Sequence, residues 1–221
     1  MSKTLKSYFL TLIAGICAAF FVRFFILTAY NVPTGSMQPA LKPGDFIFSY
    51  RMAYQFQWPH FLQSFISQKI ERGQIIVFSF PRQPQTQYVK RVIGLPGDKI
   101  EITNDHLKVN NEEFKYTKIE DLENNPNSEA FDLYTESGLN TQHQVILGKS
   151  AQSAKAASIA EPITVPEGHI FVLGDNRDTS DDSRYWGSVP TELITGQTKM
   201  IWMSFGPSGK VRWNRIFKSL D

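Results

Sequence analysis

Cysteine is nearly missing from this 221-residue chain: Cys17 stands alone, inside the longest apolar stretch. The remaining body therefore has no disulfide and no thiol chemistry, and an ordinary core must stabilise it. An excess of one charge is missing too. Lys and Arg number 23 against 21 Asp and Glu, a net +2, too little to argue for a nucleic-acid partner. No internal repeat is apparent. Between Lys6 and Lys42 the one charged residue is Arg23.

That poverty of charge defines the N-terminal region. Tyr8–Tyr30 is long enough for a helix across a bilayer, since about 20 residues span the hydrocarbon core. Lys3 and Lys6 precede it, which predicts residues 1–7 in the cytoplasm, a single transmembrane helix over 8–30, and the body outside. Arg23 lies near the outer end, where its side chain can snorkel to the headgroups. A cleavable signal peptide is the rival reading, but a cut after Ala29 would place bulky Leu27 where a small residue is needed.

The body reads as mainly β. Phe46–Tyr50, Gln74–Phe80, Gln87–Ile93 and His169–Leu173 are short runs rich in Val, Ile, Phe and Tyr, stopped by Gly/Pro/Asp turns. Lys99–Thr103 and His106–Val109 suggest a hairpin, and Lys199–Phe205 with Lys210–Trp213 a final pair. The expected organisation is a coiled antiparallel β-sheet domain over 31–102 and 166–221, interrupted by a small β subdomain over 103–165. Asp121–Ala130 and Lys149–Glu161 read as exposed loops of that insertion, which is expected to act as a spacer or a lid. Gln55–Ser67 places Trp58, Phe61 and Phe65 at helical spacing, for core packing or for contact with the bilayer interface.

Ser36 lies in Pro33-Thr34-Gly35-Ser36-Met37, a glycine turn just past the apolar stretch. A serine hydroxyl needs a base to act as a nucleophile. None of His60, His106, His143 and His169 sits beside a clear catalytic acid motif. In Tyr88-Val89-Lys90-Arg91-Val92, Lys90 shares a strand face with Tyr88 and Val92, and Arg91 points the other way. A desolvated lysine loses its proton more easily and can serve as the base. The strand alone leaves open a second reading, an edge lysine that blocks aggregation. The block Gly174–Arg184 is unusually polar after an apolar strand. Ser180 could orient a lysine amine there, and Asp182 and Arg184 could pair. Its carboxylates do not follow the EF-hand calcium pattern.

Taken in order, these blocks resemble bacterial type I signal peptidases, the Ser/Lys class of serine proteases. The resemblance rests on Val22-Arg23, Pro33–Pro39, Gly44-Asp45, Arg72-Gly73 before Val77-Phe78, Tyr88–Asp98, and Gly174–Arg177 through Ser180–Arg184. It implies Ser36 as nucleophile, Lys90 as general base, and an oxyanion hole made by the Ser36 amide and the Thr34 hydroxyl. It implies Ser180 as the lysine-orienting residue and Asp182 with Arg184 as a structural ion pair. Thr34 stands where a serine is common, and Gln74 replaces a frequent Asp.

The implied enzyme cleaves membrane-bound preproteins after small-x-small sites, without metal or cofactor. It sits in the bacterial inner membrane with its catalytic domain on the outer, periplasmic side. The substrate is expected to run along Tyr30–Pro33 and Tyr88, with shallow pockets made by Val32, Met37, Leu41 and Val89. Ala154-Lys155-Ala156-Ala157 resembles such a site within the chain itself. Two other readings remain: a non-catalytic, membrane-tethered β-domain that binds exported polypeptides, and a self-processing Ser/Lys protease of the repressor type.

Overall fold

Short β-branched and aromatic runs become strands where glycine and asparagine turns bound them. The computed structural model describes residues 3–21, 27–50, 69–103, 106–119, 131–149, 158–159 and 161–220. Helix α1 covers Lys3–Phe21. Strand β1 (Leu27–Asn31) follows, then β2 (Asp45–Tyr50), β3 (Ile75–Phe80) and β4 (Gln83–Gly94). Next come β5 (Lys99–Thr103), β6 (His106–Val109), β7 (Glu112–Glu113), β8 (Lys115–Lys118), β9 (Phe131–Gly138) and β10 (Thr141–Gly148). The chain closes with β11 (Ile163–Thr164), β12 (His169–Leu173), helix α2 (Ser183–Trp186), β13 (Val189–Pro190), β14 (Ile194–Ser204) and β15 (Lys218–Ser219).

The main sheet has the order β1-β2-β14-β3-β4-β12-β13, with β15 paired to β14. Two small sheets, β10-β9-β8 and β11-β5-β6-β7, carry the central part of the chain. All the ladders are antiparallel. Alternation along β3 divides the interior. Ile75 and Val77 join Val32, Met37, Leu41 and Ile47 in one cluster, and Ile76 and Phe78 join Val92, Ile170 and Val172 in another. A third cluster unites Ile93 of β4 and Phe171 of β12 with Ile100, Leu107 and Phe114. The insertion thus shares a core with the main sheet, and β5 belongs to its four-stranded sheet.

Two expectations need correction. Among the described residues no helix is long and apolar enough to cross a membrane. Of the expected span over 8–30, α1 is described over Lys3–Phe21, and the far end is corrected, because Leu27–Asn31 is a strand. Length and apolarity favoured helix there, but pairing of Leu27–Asn31 with Phe46–Tyr50 prevails. The expected final strand over Lys210–Trp213 is reduced to a single bridge, Phe205 with Val211, and Trp213–Arg215 is a 3-10 turn. Arg23, Gln55–Ser67, Asp121–Ala130 and Ala154–Ala157 lie outside the described residues, as does most of Lys149–Glu161.

Buried polar ties lock the turn before β2. Asp45 accepts hydrogen bonds from Ser204 Oγ (2.6 Å), Arg215 Nη2 (2.5 Å) and the Lys42 amide (2.8 Å). Burial opposes its ionisation, but Arg215 and the other donors hold its carboxyl below the usual range. Gly44 adopts φ 85° beside it, against the carbonyl of Phe205.

Candidate active site

The segment carrying Ser36 is held from both sides. The Gln38 amide donates to the Gly35 carbonyl (3.0 Å), closing the turn, and Met37 is buried with 1% exposure. From the other side the Asn176 amide donates to the Ser36 carbonyl (3.1 Å), and Asn176 Nδ2 donates to the Gly35 carbonyl (3.3 Å). The Ser36 side chain is thereby aimed across the cleft at β4.

Lys90 lies opposite Ile76 in the β3–β4 ladder, between Tyr88 and Val92 on one strand face. It is 4% exposed, and its Nζ donates to Ser36 Oγ at 2.8 Å. Burial lowers its pKa from the ordinary 10.5 to about 8, against the opposing pull of Asp182, Asp181 and Asp175. The amine also lies 5.6 Å from the centre of the Tyr88 ring.

Thr34 Oγ1 and Ser36 Oγ stand 3.3 Å apart. Asp182 accepts from Arg184 Nε at 2.8 Å and from the Gly174 amide at 3.0 Å, and it caps α2 through the Arg184 amide. The pair therefore braces the turn after β12. Ser180 is buried beside Gly174 and the Ser36 carbonyl, but its hydroxyl has no hydrogen-bond partner among the described residues. The expected bond from Ser180 to Lys90 is not made.

A cleft of about 280 Å³ opens over Ser36 and Lys90, with Tyr30, Val32, Pro33, Met37, Tyr88 and Val89 in its walls. Leu41 does not reach it, being wholly buried in the core beside Met37. Asn31, within the expected substrate track Tyr30–Pro33, lines it as well, as do Gln87, Thr179 and Asp181, which were missed in the sequence. Gln87 could have been found from its place beside Tyr88, where the substrate is expected to run. Asp181 had no signal beyond membership of the acidic block.

The cleft has two unused strand edges. β1 ends the main sheet. β4 pairs with β12 only from Arg91 to Gly94, so Thr86–Val89 carries no second partner among the described residues. The coiling of the sheet brings both edges to one cleft.

The described histidines face other groups, away from Ser36. His143 faces Glu136, His106 faces Glu113, and His169 Nδ1 meets the Glu167 carbonyl. Among the described residues no group of three or more metal-ligating side chains could hold an ion.

Comparison with known proteins identifies the family. The profile of the family described as "Signal peptidase, peptidase S26" matches residues 5–203. A signal peptidase I of Pseudomonas fluorescens is 35% identical over 200 residues, covering 83% of this chain and 67% of its own length. One from Buchnera aphidicola is 33% identical, covering 96% and 82%. A crystal structure of a signal peptidase I from Enterococcus faecalis V583 has 32% identity and a TM-score of 0.37, covering 59% of this chain and 97% of that one. The protein is thus a serine endopeptidase, a hydrolase of peptide bonds. It belongs to the signal peptidase, peptidase S26, family.

Proposed function

We propose that this enzyme removes signal peptides from exported preproteins with a Ser36/Lys90 dyad, cleaving after small-x-small sites. The observation that carries this reading is the 2.8 Å bond from Lys90 Nζ to Ser36 Oγ, made by a buried lysine whose pKa is lowered to about 8. A neutral amine at that distance can take the serine proton near neutral pH. The family membership and the names of the relatives support preproteins as substrates.

In the proposed reaction the substrate lies extended between β1 and β4, pairing with their free edges. Ser36 Oγ attacks the carbonyl carbon as its proton passes to Lys90 Nζ. The oxyanion is stabilised by the Ser36 amide and the Thr34 hydroxyl, each such donor being worth about 2.7–4 kcal/mol. Lys90 then protonates the leaving amine, the C–N bond breaks, and the acyl group stays on Ser36. A water gives its proton to Lys90 and attacks the ester, and the acid product leaves as Ser36 regains its proton. Val32, Met37 and Val89 leave room for small side chains near the scissile bond, and larger residues clash. Asp182 and Arg184 hold the frame around the lysine.

The enzyme is proposed to work at the outer face of the bacterial inner membrane, with no role in nucleic-acid binding. Helix α1 exposes Tyr8, Phe9, Leu10 and Leu12, which supports contact with a bilayer. The alternative of a non-catalytic binding domain would leave the short Ser36–Lys90 contact without a purpose. The test is cleavage of a membrane-embedded preprotein by Ser36→Ala and Lys90→Met. Both are expected to lose activity while the β body keeps its circular dichroism. Substantial cleavage by Lys90→Met, with Ser36 intact, would exclude the dyad.

A further inference from the structure

The inserted hairpin β9–β10 ends on the loop that frames Ser36. Glu136 of β9 is wholly buried. Its carboxylate accepts from Arg177 Nη2 (2.6 Å) and from the Tyr116 hydroxyl (2.6 Å), and His143 Nε2 lies 3.2 Å away. Burial opposes the charge on Glu136, but Arg177 and His143 outweigh it and hold the carboxyl well below its usual range.

Arg177 reaches in two directions. Its Nη2 meets Glu136, and its Nε donates to the Gly174 carbonyl at 3.2 Å. A planar guanidinium can grip two acceptors in this fixed geometry, and a lysine ammonium cannot reproduce it. The backbone reinforces the grip. The Ile146 amide of β10 donates to the Asp175 carbonyl (2.8 Å), and the Arg177 amide donates back to the Ile146 carbonyl (3.1 Å). The Gly148 amide donates to the Asp178 carboxylate. Asn176, the residue beside Arg177, donates to the carbonyls of Gly35 and Ser36. One peptide bond thus separates the residue held by Glu136 from the residue that holds Ser36.

A buried ion pair is seldom needed for stability alone, because a well-packed apolar pair serves as well or better. Neither Glu136 nor Arg177 lines the cleft, so the pair does not touch substrate. We propose that the Glu136–Arg177 pair is a positioning device for catalysis, through which the inserted hairpin holds the 174–178 loop against Ser36. This rests on the Ser36/Lys90 reading. The insertion is then part of the frame of the active site, in place of the spacer or lid expected from its sequence.

The test measures kcat and KM for preprotein cleavage by the full chain in detergent micelles, well below each variant's unfolding midpoint. Two variants are compared. Glu136→Gln/Arg177→Met removes both charges of the pair and keeps an amide facing Tyr116 and His143. Arg177→Lys keeps the charge but loses the fork. Both are expected to keep the native circular dichroism and to lose about 10- to 100-fold in kcat per folded molecule, as a small misplacement of reacting groups does. KM is expected to stay within about twofold.

Wild-type kcat in Arg177→Lys overturns the proposal, because a charge at that position would then suffice. Loss of fold in both variants also overturns it, assigning the pair to stability. Ser36→Ala is run beside them: if it still cleaves, the dyad reading fails, and that result is distinguishable from failure of the positioning role.

Discussion

Gly174 stands against the Ser36 carbonyl so closely that a methyl group on its α-carbon would lie 2.5 Å from that oxygen. The same methyl would collide with Ser180. A carbonyl so placed cannot retreat freely, because it also accepts the Asn176 amide. Gly174→Ala is therefore expected to push Ser36 out of line with Lys90 and to lower kcat by about 100-fold or more. Steady-state cleavage assays beside a thermal melt check this, and an unchanged kcat would show that the loop yields without cost.

The pKa of Lys90 sets the pH dependence. The proposed dyad needs the neutral amine, and Lys90 is protonated below about pH 8. The kcat/KM profile is expected to fall roughly tenfold per pH unit below that point. Asp181 raises the Lys90 pKa by its charge. Asp181→Asn should therefore move the acid limb to lower pH, which a set of initial rates across pH reveals. A limb that stays in place would mean that Asp181 is screened from the amine.

The same lysine weighs on stability. Its folded pKa lies below its ordinary 10.5, so the unfolded chain binds the proton more tightly. The penalty is fully present below about pH 8 and vanishes as the pH rises through 10.5. Lys90→Met, which the proposed dyad makes inactive, is expected to be more stable at pH 7, by something on the order of 3 kcal/mol. The gain should shrink toward pH 10 in chemical denaturation, and a gain independent of pH would point to packing instead.

Behind the cleft, Arg91 and Asp175 form a bidentate pair with both bonds at 2.7 Å, and Arg91 also donates to the Gly73 carbonyl. Breaking such a pair from one side leaves a buried charge alone. Asp175→Asn is expected to cost about 3–5 kcal/mol in urea unfolding, and Asp175→Asn/Arg91→Met less than that single change. Equal losses would mean that the two charges do not depend on each other.

Much of the β framework was legible, because turn residues bound its strands. Gly94-Leu95-Pro96-Gly97-Asp98 ends β4 near Gly94, and Gly174-Asp175-Asn176 follows β12. The face of Lys90 followed from strand alternation, although Ser36 lies 54 residues away and no local spacing joins them. Other features depend on tertiary burial. Leu27–Asn31 reads like the end of an apolar helix until its pairing with β2 is known. Glu136 and Tyr116 look like ordinary polar residues of alternating strands. Their enclosure around Arg177 comes from the packing of the hairpin on a loop about 40 residues further along, for which the sequence has no local marker. Ser180 was placed near the site by resemblance, but its hydroxyl is left without a partner.

The bond between Gly35 and Asn176 joins residues 141 positions apart. Ser36 emerges early from the ribosome and Asn176 late, so for most of its synthesis the nascent chain carries Ser36 without the loop that fixes it. On the proposed dyad, the catalytic geometry is completed only when the loop carrying Asn176 has been made.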